Sequence, residues 1–312
     1  MIKDKVLVLM STYNGEKYVN EQLESILNQS IRDVDILIRD DGSRDKTIQI
    51  ISKWMDKFPE RIKLEAKENK GVVESFFELV KLASLDYDYY FFSDQDDYWD
   101  KKKIEKAIER IKSFNKNKNI GYCSNLNLVD KNLKFMGKKY TKELIPSLRN
   151  CFIENIVTGC TYGANRTLFV KLKEDIRKIG NNIKKIPMHD YHFYFLTTLY
   201  GKLVYDENSY IGYRQHGNNV VGMEKNKIKF TIQRIKRVFK RKSNDKRIEY
   251  LRFIKQNYQN ELPILEKNFL LNLLENYNCI FKRLSFILKN EFVRQSKIES
   301  YLSKITYLLK KF

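Results

Sequence analysis

The sequence has few of the residues that mark secreted, disulfide-rich or membrane-spanning proteins. It contains 4 cysteines among 312 residues, without a CxxC pair or metal-ligand spacing, which is typical of reduced, buried thiols. No stretch approaches the ~20 apolar residues that span a bilayer. Only residues 6–10 are apolar after the first lysines, and a signal peptide needs about 7–15. These absences predict a protein that is made in the cytosol and stays there.

Proline is also scarce, with 4 residues, and the sequence shows no internal repeat and no low-complexity linker. An apolar content of 42% and an aromatic content of 13% are sufficient for a packed core. The net charge of +20 is unevenly placed, because residues 225–312 hold 22 Lys and Arg against 7 Asp and Glu, whereas residues 1–224 hold 37 against 32. This shift predicts a domain at 1–224 and a basic helical region at 225–312.

The first hundred residues alternate strand-like and helix-like segments. Short apolar runs predict strands at residues 6–10, 35–39, 61–65 and 87–92. Apolar residues at helical spacing predict helices between them, at 18–27, 46–55 and 72–82. Strands and helices in this order predict an α/β fold, with a parallel sheet flanked by helices on both faces.

Polar clusters follow three of these strands, at residues 11–15, 40–43 and 94–97. In open α/β sheets ligands bind beyond the carboxyl ends of the strands. Because three strands each bring a polar cluster to the same edge, we expect the functional site there.

The densest acidic cluster runs from Asp94 to Asp97. In an extended segment Asp94 and Asp96 point the same way, and two carboxylates on one side suit Mg²⁺ or Mn²⁺ when a diphosphate completes the coordination. The alternative is a solvated acidic turn that caps a helix beginning near Asp100. Asp40 and Asp41 likewise have two interpretations: hydrogen-bond acceptors for a nucleobase or ribose, or members of a turn before a helix.

Two histidine-containing segments are less specific. Asp190 follows His189 at the start of an aromatic helix, where an acidic side chain is also a common N-cap. His216 lies in a loop rich in hydrogen-bond donors, and lone histidines are more often structural than ligands.

Seven segments, in this order, resemble the family 2 glycosyltransferases of the GT-A fold, and within them the bacterial rhamnosyltransferase-like branch. They are Ser11-Thr12-Tyr13-Asn14-Gly15, Asp40-Asp41-Gly42-Ser43, Asn69-Lys70-Gly71, Ser93-Asp94-Gln95-Asp96-Asp97-Tyr98-Trp99, Thr158-Gly159-Cys160-Thr161, Met188-His189-Asp190 and Tyr213-Arg214-Gln215-His216. The resemblance spans residues 5–222 and implies a GT-A catalytic domain with a mostly parallel central sheet.

The resemblance also implies roles for individual residues. Asp190 matches the catalytic base, although His189 stands where much of the family has Glu. Asp96 and His216 match the metal ligands for Mn²⁺ or Mg²⁺. The residues implied for the nucleotide-sugar donor, with Asp40 at the base, are Thr12, Tyr13, Asn14, Asp40, Asp41, Asn69, Gly71, Asp94, Gln95 and Asp97. The residues implied for the acceptor side are Trp99, Gly159, Cys160, Thr161 and His189.

The implied reaction is a metal-dependent transfer of a sugar from a nucleoside diphosphate to an acceptor hydroxyl, with inversion at the anomeric carbon. The branch favours L-rhamnose from dTDP-rhamnose, and a saccharide or lipid-linked saccharide acceptor in bacterial cell-surface polysaccharide synthesis, such as capsule or cell wall. A UDP-hexose or UDP-N-acetylhexosamine donor is the alternative. A silent sugar-nucleotide binder is disfavoured by the retained Asp96, Asp190 and His216.

Residues 225–247 hold eleven Lys and Arg and one acid, with apolar residues at helical spacing among them. A basic amphipathic helix predicts docking on an anionic membrane surface, here the inner face of the cell membrane. A solvated helix packed on the catalytic domain is the alternative. A basic nucleic-acid-binding protein is disfavoured because no such motif is present and the charge lies outside the domain that carries the site. Later apolar segments indicate further helices or contacts in a homo-oligomer.

Overall fold

The computed structural model describes residues 4–115, 117–215, 246–289, 292, 294 and 297–312. These residues form two compact units. The first contains the chain to Leu144, Val157–Ile183 and the described residues from Met188 to 215, and the second contains Ile145–Ile156, Lys184–Pro187 and the described residues from 246 onward. The predicted boundary near 225 stays a prediction, and two short segments before it group with the C-terminal helices.

The first unit contains a nine-stranded sheet in the part of the chain described. The strands are β1 Val6–Thr12, β2 Val34–Asp40, β3 Ile62–Ala66, β4 Tyr89–Ser93, β5 Tyr98–Trp99, β6 Ile120–Val129, β7 Phe135–Lys138, β8 Gly163–Asn165 and β9 Lys202–Arg214. Its helices are α1 Val19–Leu27, α2 Thr47–Lys57, α3 Val72–Leu82, α4 Lys103–Lys112, α6 Arg166–Ile179 and α7 His189–Tyr200. The four strands and three helices predicted in the first hundred residues are therefore confirmed.

The sheet has the order β3-β2-β1-β4-β8-β6-β9-β5, with β7 beside β6. The first four strands in this order are parallel. β1 and β4 are buried along almost their whole length, as expected for central parallel strands that helices cover on both faces. This explains why these strands are continuous apolar runs in the sequence.

The second half of the sheet is mixed. β8 is antiparallel to both β4 and β6, and β9 runs parallel to β6. The two-residue strand β5 pairs antiparallel with β9 at Trp99 and Ile211, which places the segment after the acidic cluster beside the end of β9. The fold is an α/β GT-A arrangement with C-terminal helices.

The register of the central strands brings the predicted site segments together. Thr12 at the end of β1 pairs with Asp40 at the end of β2. Met10 of β1 pairs with Ser93, the last residue of β4. The polar clusters that follow these strands therefore share one edge of the sheet, as predicted.

The second unit is helical. Its helices are α5 Leu148–Ile153, α8 Lys246–Tyr258, α9 Ile264–Asn276, α10 Ile280–Lys289 and α11 Lys297–Leu308. Its core includes the stacked or tilted rings of Phe269, Phe286 and Tyr307. No helix in the described ranges is both long and apolar enough to cross a bilayer. His216 and most of the predicted membrane segment, residues 225–245, lie outside the described residues.

Candidate active site

The loop after β1 is hydrogen-bonded to the loop after β2 through Asp40. The Asp40 carboxylate accepts from the Thr12 hydroxyl at 2.8 Å, from the Ser43 amide at 2.7 Å and from the Ser43 hydroxyl at 2.6 Å. Its side chain is fully buried. The predicted contact between Asp40 and a nucleobase is therefore not open in this structure, because both carboxylate oxygens are engaged inside the protein. Asp40 instead fixes the shape of the two loops, and the buried Thr12 acts with it.

Asp41 connects the end of β2 to the start of α3. Its carboxylate accepts from the backbone amides of Lys70 at 2.9 Å and Gly71 at 2.8 Å, and it forms a buried ion pair with Arg39. Gly71 has a φ of 84°, a conformation that favours glycine. Like Asp40, Asp41 is buried, so the structure gives it a positioning role. Asn69 and Gly71 themselves are exposed.

Asn14 and Tyr13 form the exposed surface of the β1 loop. Asn14 has a φ of 48°, which asparagine tolerates better than most residues, and its side-chain oxygen accepts from the Arg44 amide at 2.9 Å. The Gln95 side chain pairs with both backbone groups of Tyr13, at 2.8 and 2.9 Å. Gln95 thus joins the β1 loop to the acidic cluster, while the Tyr13 side chain stays 47% exposed.

The acidic cluster concentrates negative charge at the end of β4. Potential ligand atoms of Asp94, Asp97 and Cys160 lie within 4.8 Å of one another. Burial, with repulsion from Asp96 and Asp190, raises the pKa of Asp94 to about 7. Burial and repulsion from Asp96 and Asp94 raise the pKa of Asp97 well above its usual value. The three carboxylates of the Asp94–Asp97 segment and that of Asp190 therefore act on one another.

This cluster fits a divalent cation. Buried carboxylates with raised pKa values carry repulsion that a bound cation removes, and Oδ2 of Asp97 is buried without a hydrogen-bond partner among the described residues. Oxygen ligands of this kind suit Mg²⁺ or Mn²⁺. Burial raises the pKa of the Cys160 thiol well above its usual value, and that thiol is hydrogen-bonded to Asp97. A neutral thiol is a poor ligand for these hard cations, so Cys160 supports Asp97 instead.

A buried lysine that no sequence motif indicated lies near the acidic cluster. Nζ of Lys103 is 3.3 Å from the centroid of the Trp99 ring and has no hydrogen-bond partner in the described part of the chain. Burial lowers the pKa of Lys103 to about 7, although Cys160 and Asp97 oppose the shift. A lysine at the first position of an amphipathic helix, within the run Lys101-Lys102-Lys103, is normally solvated, which is why the sequence could not reveal this buried amine.

Arg214 is a second residue near the acidic cluster to which the family resemblance assigned no role. Its guanidinium donates to the carbonyl oxygens of Asp96 at 2.9 Å and Lys131 at 2.7 Å, and it pairs with Glu21 of α1. Its backbone amide donates to Asp97 at 3.4 Å. Arg214 thus holds the backbone of the acidic cluster against the end of β9. Its place next to Gln215 and His216 in a quoted motif was the available signal.

The predicted base lies at the beginning of α7. Asp190 is in the first turn, where the positive end of the helix dipole favours a carboxylate, and its charge acts on Asp94. The preceding His189 stacks on Phe76, with ring centroids 4.0 Å apart. A Cβ at Gly159 would lie 2.6 Å from Nε2 of His189. Glycine at 159 is therefore needed for the His189 ring to occupy this position.

The acceptor-side role that the family resemblance implies for five residues stays a prediction. All five are buried, with Trp99 in the core beneath Lys103. These residues are Trp99, Gly159, Cys160, Thr161 and His189. Apolar packing at the end of β4 extends into these segments, so they form part of the core next to the site. A motif identifies neighbours of a site but not the direction in which each side chain points.

His189 should make folding stability depend on pH in a specific way. Burial lowers the pKa of His189 to about 3, whereas an unfolded histidine titrates near pH ~6.5. Below that pH the unfolded state takes up a proton that the folded state does not, so His189 lowers stability as pH falls from ~6.5. We expect the stability of wild type relative to His189→Leu to fall by up to about 1.4 kcal/mol per pH unit in this window.

Urea unfolding of both proteins between pH 7 and pH 4 measures this difference. Asp94 and Asp97 titrate with the opposite sign, but they are present in both proteins and cancel in the comparison. A difference between wild type and His189→Leu that stays constant with pH would show that His189 is not buried in its neutral form.

The fold and the site agree with the protein family that the sequence matches. The model of Glycosyl transferase family 2 matches residues 7–177, which is more than half of the chain, and the chain belongs to that family. It is therefore a glycosyltransferase. The buried strands, the acidic cluster and the Asp40–Ser43 loop all lie within the matched range.

Two relatives and one solved structure show which proteins this chain is similar to. The chain is 35% identical over 226 residues to dTDP-rhamnosyl transferase RfbG of Shigella flexneri, a match that covers 68% of this chain and 73% of that protein. It is 27% identical over 238 residues to an uncharacterised glycosyltransferase of Haemophilus influenzae, with 74% and 72% covered. The crystal structure of S. aureus TarS 1–349 is similar with a TM-score of 0.57 at 20% identity, covering 98% of this chain and 80% of that one. That likeness shows the GT-A fold.

Proposed function

We propose that this glycosyltransferase transfers L-rhamnose from dTDP-rhamnose to a saccharide or lipid-linked saccharide in bacterial cell-surface polysaccharide synthesis. The observation that carries the proposal is the 35% identity to a dTDP-rhamnosyl transferase across 68% of the chain. The matched segments of the rhamnosyltransferase-like branch, from Asp94 to Trp99 and around Arg214, support it.

The donor nucleotide lies over the loops that follow β1 and β2. Tyr13, Asn14 and Asn69 are exposed there and supply the direct contacts. Asp40 and Asp41, buried behind them, hold the loop backbones in the conformation that receives the nucleotide. Because Gln95 pairs with the backbone of Tyr13, the nucleotide pocket and the acidic cluster form one rigid element.

Asp96, with Asp94 or Asp97 beside it, would hold Mg²⁺ or Mn²⁺, and His216 is the proposed ligand from the C-terminal side. When bound, the cation stabilises the negative charge of the departing diphosphate. The buried amine of Lys103 interacts with Asp97, and Arg214 fixes the backbone of Asp96. These two residues orient the carboxylates before a donor arrives.

Asp190 acts as the general base. A base must remove the proton of the acceptor hydroxyl as that oxygen attacks the anomeric carbon. The dipole of α7 keeps the Asp190 carboxylate in place, and the rigid stack of His189 on Phe76 supports the turn that carries it. Displacement in one step inverts the anomeric configuration and needs no enzyme nucleophile.

The same proposal places the protein in the cytoplasm at the inner face of the cell membrane, where a lipid-linked acceptor is available. Residues 225–247 would bind anionic lipid through their eleven Lys and Arg. Association into a homo-oligomer is compatible with this arrangement.

Calorimetry with a set of donors tests the proposal. We expect dTDP-rhamnose to bind in the presence of Mn²⁺ or Mg²⁺ more tightly than UDP-glucose or UDP-N-acetylglucosamine, and EDTA to weaken its binding. Preferred binding of a UDP-sugar would overturn the rhamnose assignment while leaving the family unaffected. Equal binding of dTDP-rhamnose with and without EDTA would overturn the metal site.

A further inference from the structure

Helix α10 in the C-terminal unit has an apolar side that no described residue covers. Ile280, Phe281, Leu284 and Leu288 are 56%, 79%, 43% and 78% exposed. We call these four residues the α10 apolar face. Single exposed apolar residues are common on protein surfaces, whereas a group of four large ones on one short helix is not.

The four residues lie on one side of the helix. At 3.6 residues per turn they fall within an arc of about 100°. The opposite side is also packed: Phe286 is buried against Tyr307 at a ring distance of 5.5 Å, and the buried Arg283 donates to the Leu308 carbonyl at 2.9 Å. A helix that is apolar on both sides is normally covered on both sides. The α10 apolar face therefore lacks a partner in the described chain.

The charges around this face are positive. The exposed Lys282 and Lys289 lie on one side of this arc, about 100° and 80° beyond Phe281, where their aliphatic stems can cover apolar surface while their amines remain in a polar layer. Residues 279–312 hold eight Lys and Arg against two acids. One of the two, Glu299, is already paired with Arg294 at 3.1 Å. The surroundings of the face are thus suited to an anionic partner.

The next helix repeats the pattern. Ile298, Tyr301 and Ile305 of α11 are 61%, 68% and 41% exposed, and they recur at intervals of three and four residues. Two consecutive helices of one unit therefore each present an apolar stripe among basic residues, which is typical of helices that lie in a membrane interface.

We propose that the α10 apolar face inserts into the interface of an anionic lipid bilayer, with Lys282 and Lys289 at the level of the headgroups. A second copy of the chain fits less well, because stacking two such faces would bring two strongly basic regions together. This surface is separate from residues 225–247. In that segment apolar residues stand among eleven Lys and Arg, whereas the α10 apolar face consists of four apolar side chains with fewer charges around it.

Flotation of the full-length protein with vesicles measures the proposed contact. With vesicles of phosphatidylcholine and phosphatidylglycerol we expect wild type to bind, and part of that binding to survive at ~1 M salt, where the Debye length is only about 3 Å. Phe281→Gln with Leu288→Gln should lower the partition coefficient at least ~tenfold, since burying one Phe or Leu contributes on the order of a factor of ten. Vesicles of phosphatidylcholine alone should bind less.

Two controls test whether vesicle binding depends on the α10 apolar face or on any exposed apolar side chain. Ile145→Gln changes a side chain in the same unit that is 75% exposed, and it should leave vesicle binding unchanged. A Phe281→Trp variant should show blue-shifted fluorescence that brominated acyl chains quench, above the constant signal of Trp54 and Trp99. An Ile145→Trp variant should show no such quenching.

Failure of the membrane contact can be distinguished from failure of the proposed function, because transfer to a soluble acceptor is measured separately. Transfer to a soluble acceptor should be the same in wild type and in the Phe281→Gln, Leu288→Gln variant. Vesicle binding that the double variant retains in full would overturn the proposal, as would a wild type that ignores anionic vesicles at about 0.1 M salt. A self-association of wild type that the double variant loses without lipid would assign the face to a second copy instead.

Discussion

Asp96→Asn is expected to abolish sugar transfer while the protein stays folded. The carboxylates at the end of β4 repel one another, and this repulsion contributes to the raised pKa values of Asp94 and Asp97. A cation held by Asp96 would relieve the repulsion and raise the melting temperature of wild type. By mass action the stabilisation reaches about 2.7 kcal/mol at a cation concentration 100 times the Kd. Asn at 96 keeps the shape but loses the charge, so both the thermal shift with Mn²⁺ and the turnover should disappear.

Asp100→Asn is the matched control for this experiment. Asp100 is an exposed carboxylate four residues further on, between β5 and α4. Its side chain accepts from the Lys102 amide at 2.8 Å, and an asparagine oxygen can accept the same hydrogen bond. The control variant should therefore keep the thermal shift and the turnover. If Asp96→Asn retained near-normal turnover at saturating Mn²⁺, Asp96 would not be a metal ligand.

Asp190→Asn is expected to reduce turnover by roughly 10²–10⁴ and to leave donor affinity nearly unchanged. The loss corresponds to removal of a general base, and asparagine preserves the polar contacts in the first turn of α7. Rapid-quench measurement of one turnover, together with calorimetry of the donor, separates the two effects. A collapse of donor affinity in parallel with turnover would remove Asp190 from the base role.

Asp175→Asn is the corresponding control. Asp175 is a buried carboxylate on α6 that lies 3.3 Å from Nε2 of His192 on α7. Its substitution disturbs the same helix without touching the acidic cluster. We expect Asp175→Asn to lower the melting temperature more than the turnover, the reverse of the effect of Asp190→Asn.

Much of the catalytic half of the fold could be predicted because its strands are buried on both faces. β1 is apolar as far as Met10 and β4 as far as Phe92, so both strands are visible as apolar runs in the sequence. The polar clusters that follow these runs mark the edge of the sheet where a ligand binds. β8 and β5 could not be predicted in this way. They are three and two residues long and are defined by their pairing with β6, β4 and β9, which local sequence does not record.

The site likewise has features that could be predicted from the sequence and others that could not. The sequence predicted that the clusters at 11–15, 40–43 and 94–97 would share one edge of the sheet, since each follows a strand end, and the register of β1, β2 and β4 places them there. The place of Asp190 beside them was implied only by the family resemblance. The burial of Trp99 and Cys160 could not be predicted, because a motif records the order of residues and not the direction of their side chains. Lys103 could not be found, since its burial depends on the packing of Trp99 and Phe91 around its amine.

In the proposed mechanism the sugar is transferred in one step from a nucleoside-diphosphate sugar, with Asp190 as the base. The most direct measurement is proton NMR of the product formed from dTDP-rhamnose and an acceptor saccharide, with release of the nucleoside diphosphate followed in the same sample. We expect one equivalent of dTDP for each glycosidic bond, and an anomeric configuration opposite to that of the donor. A product that retained the configuration of the donor would contradict the mechanism, because it would require a covalent or front-face route that Asp190 does not provide.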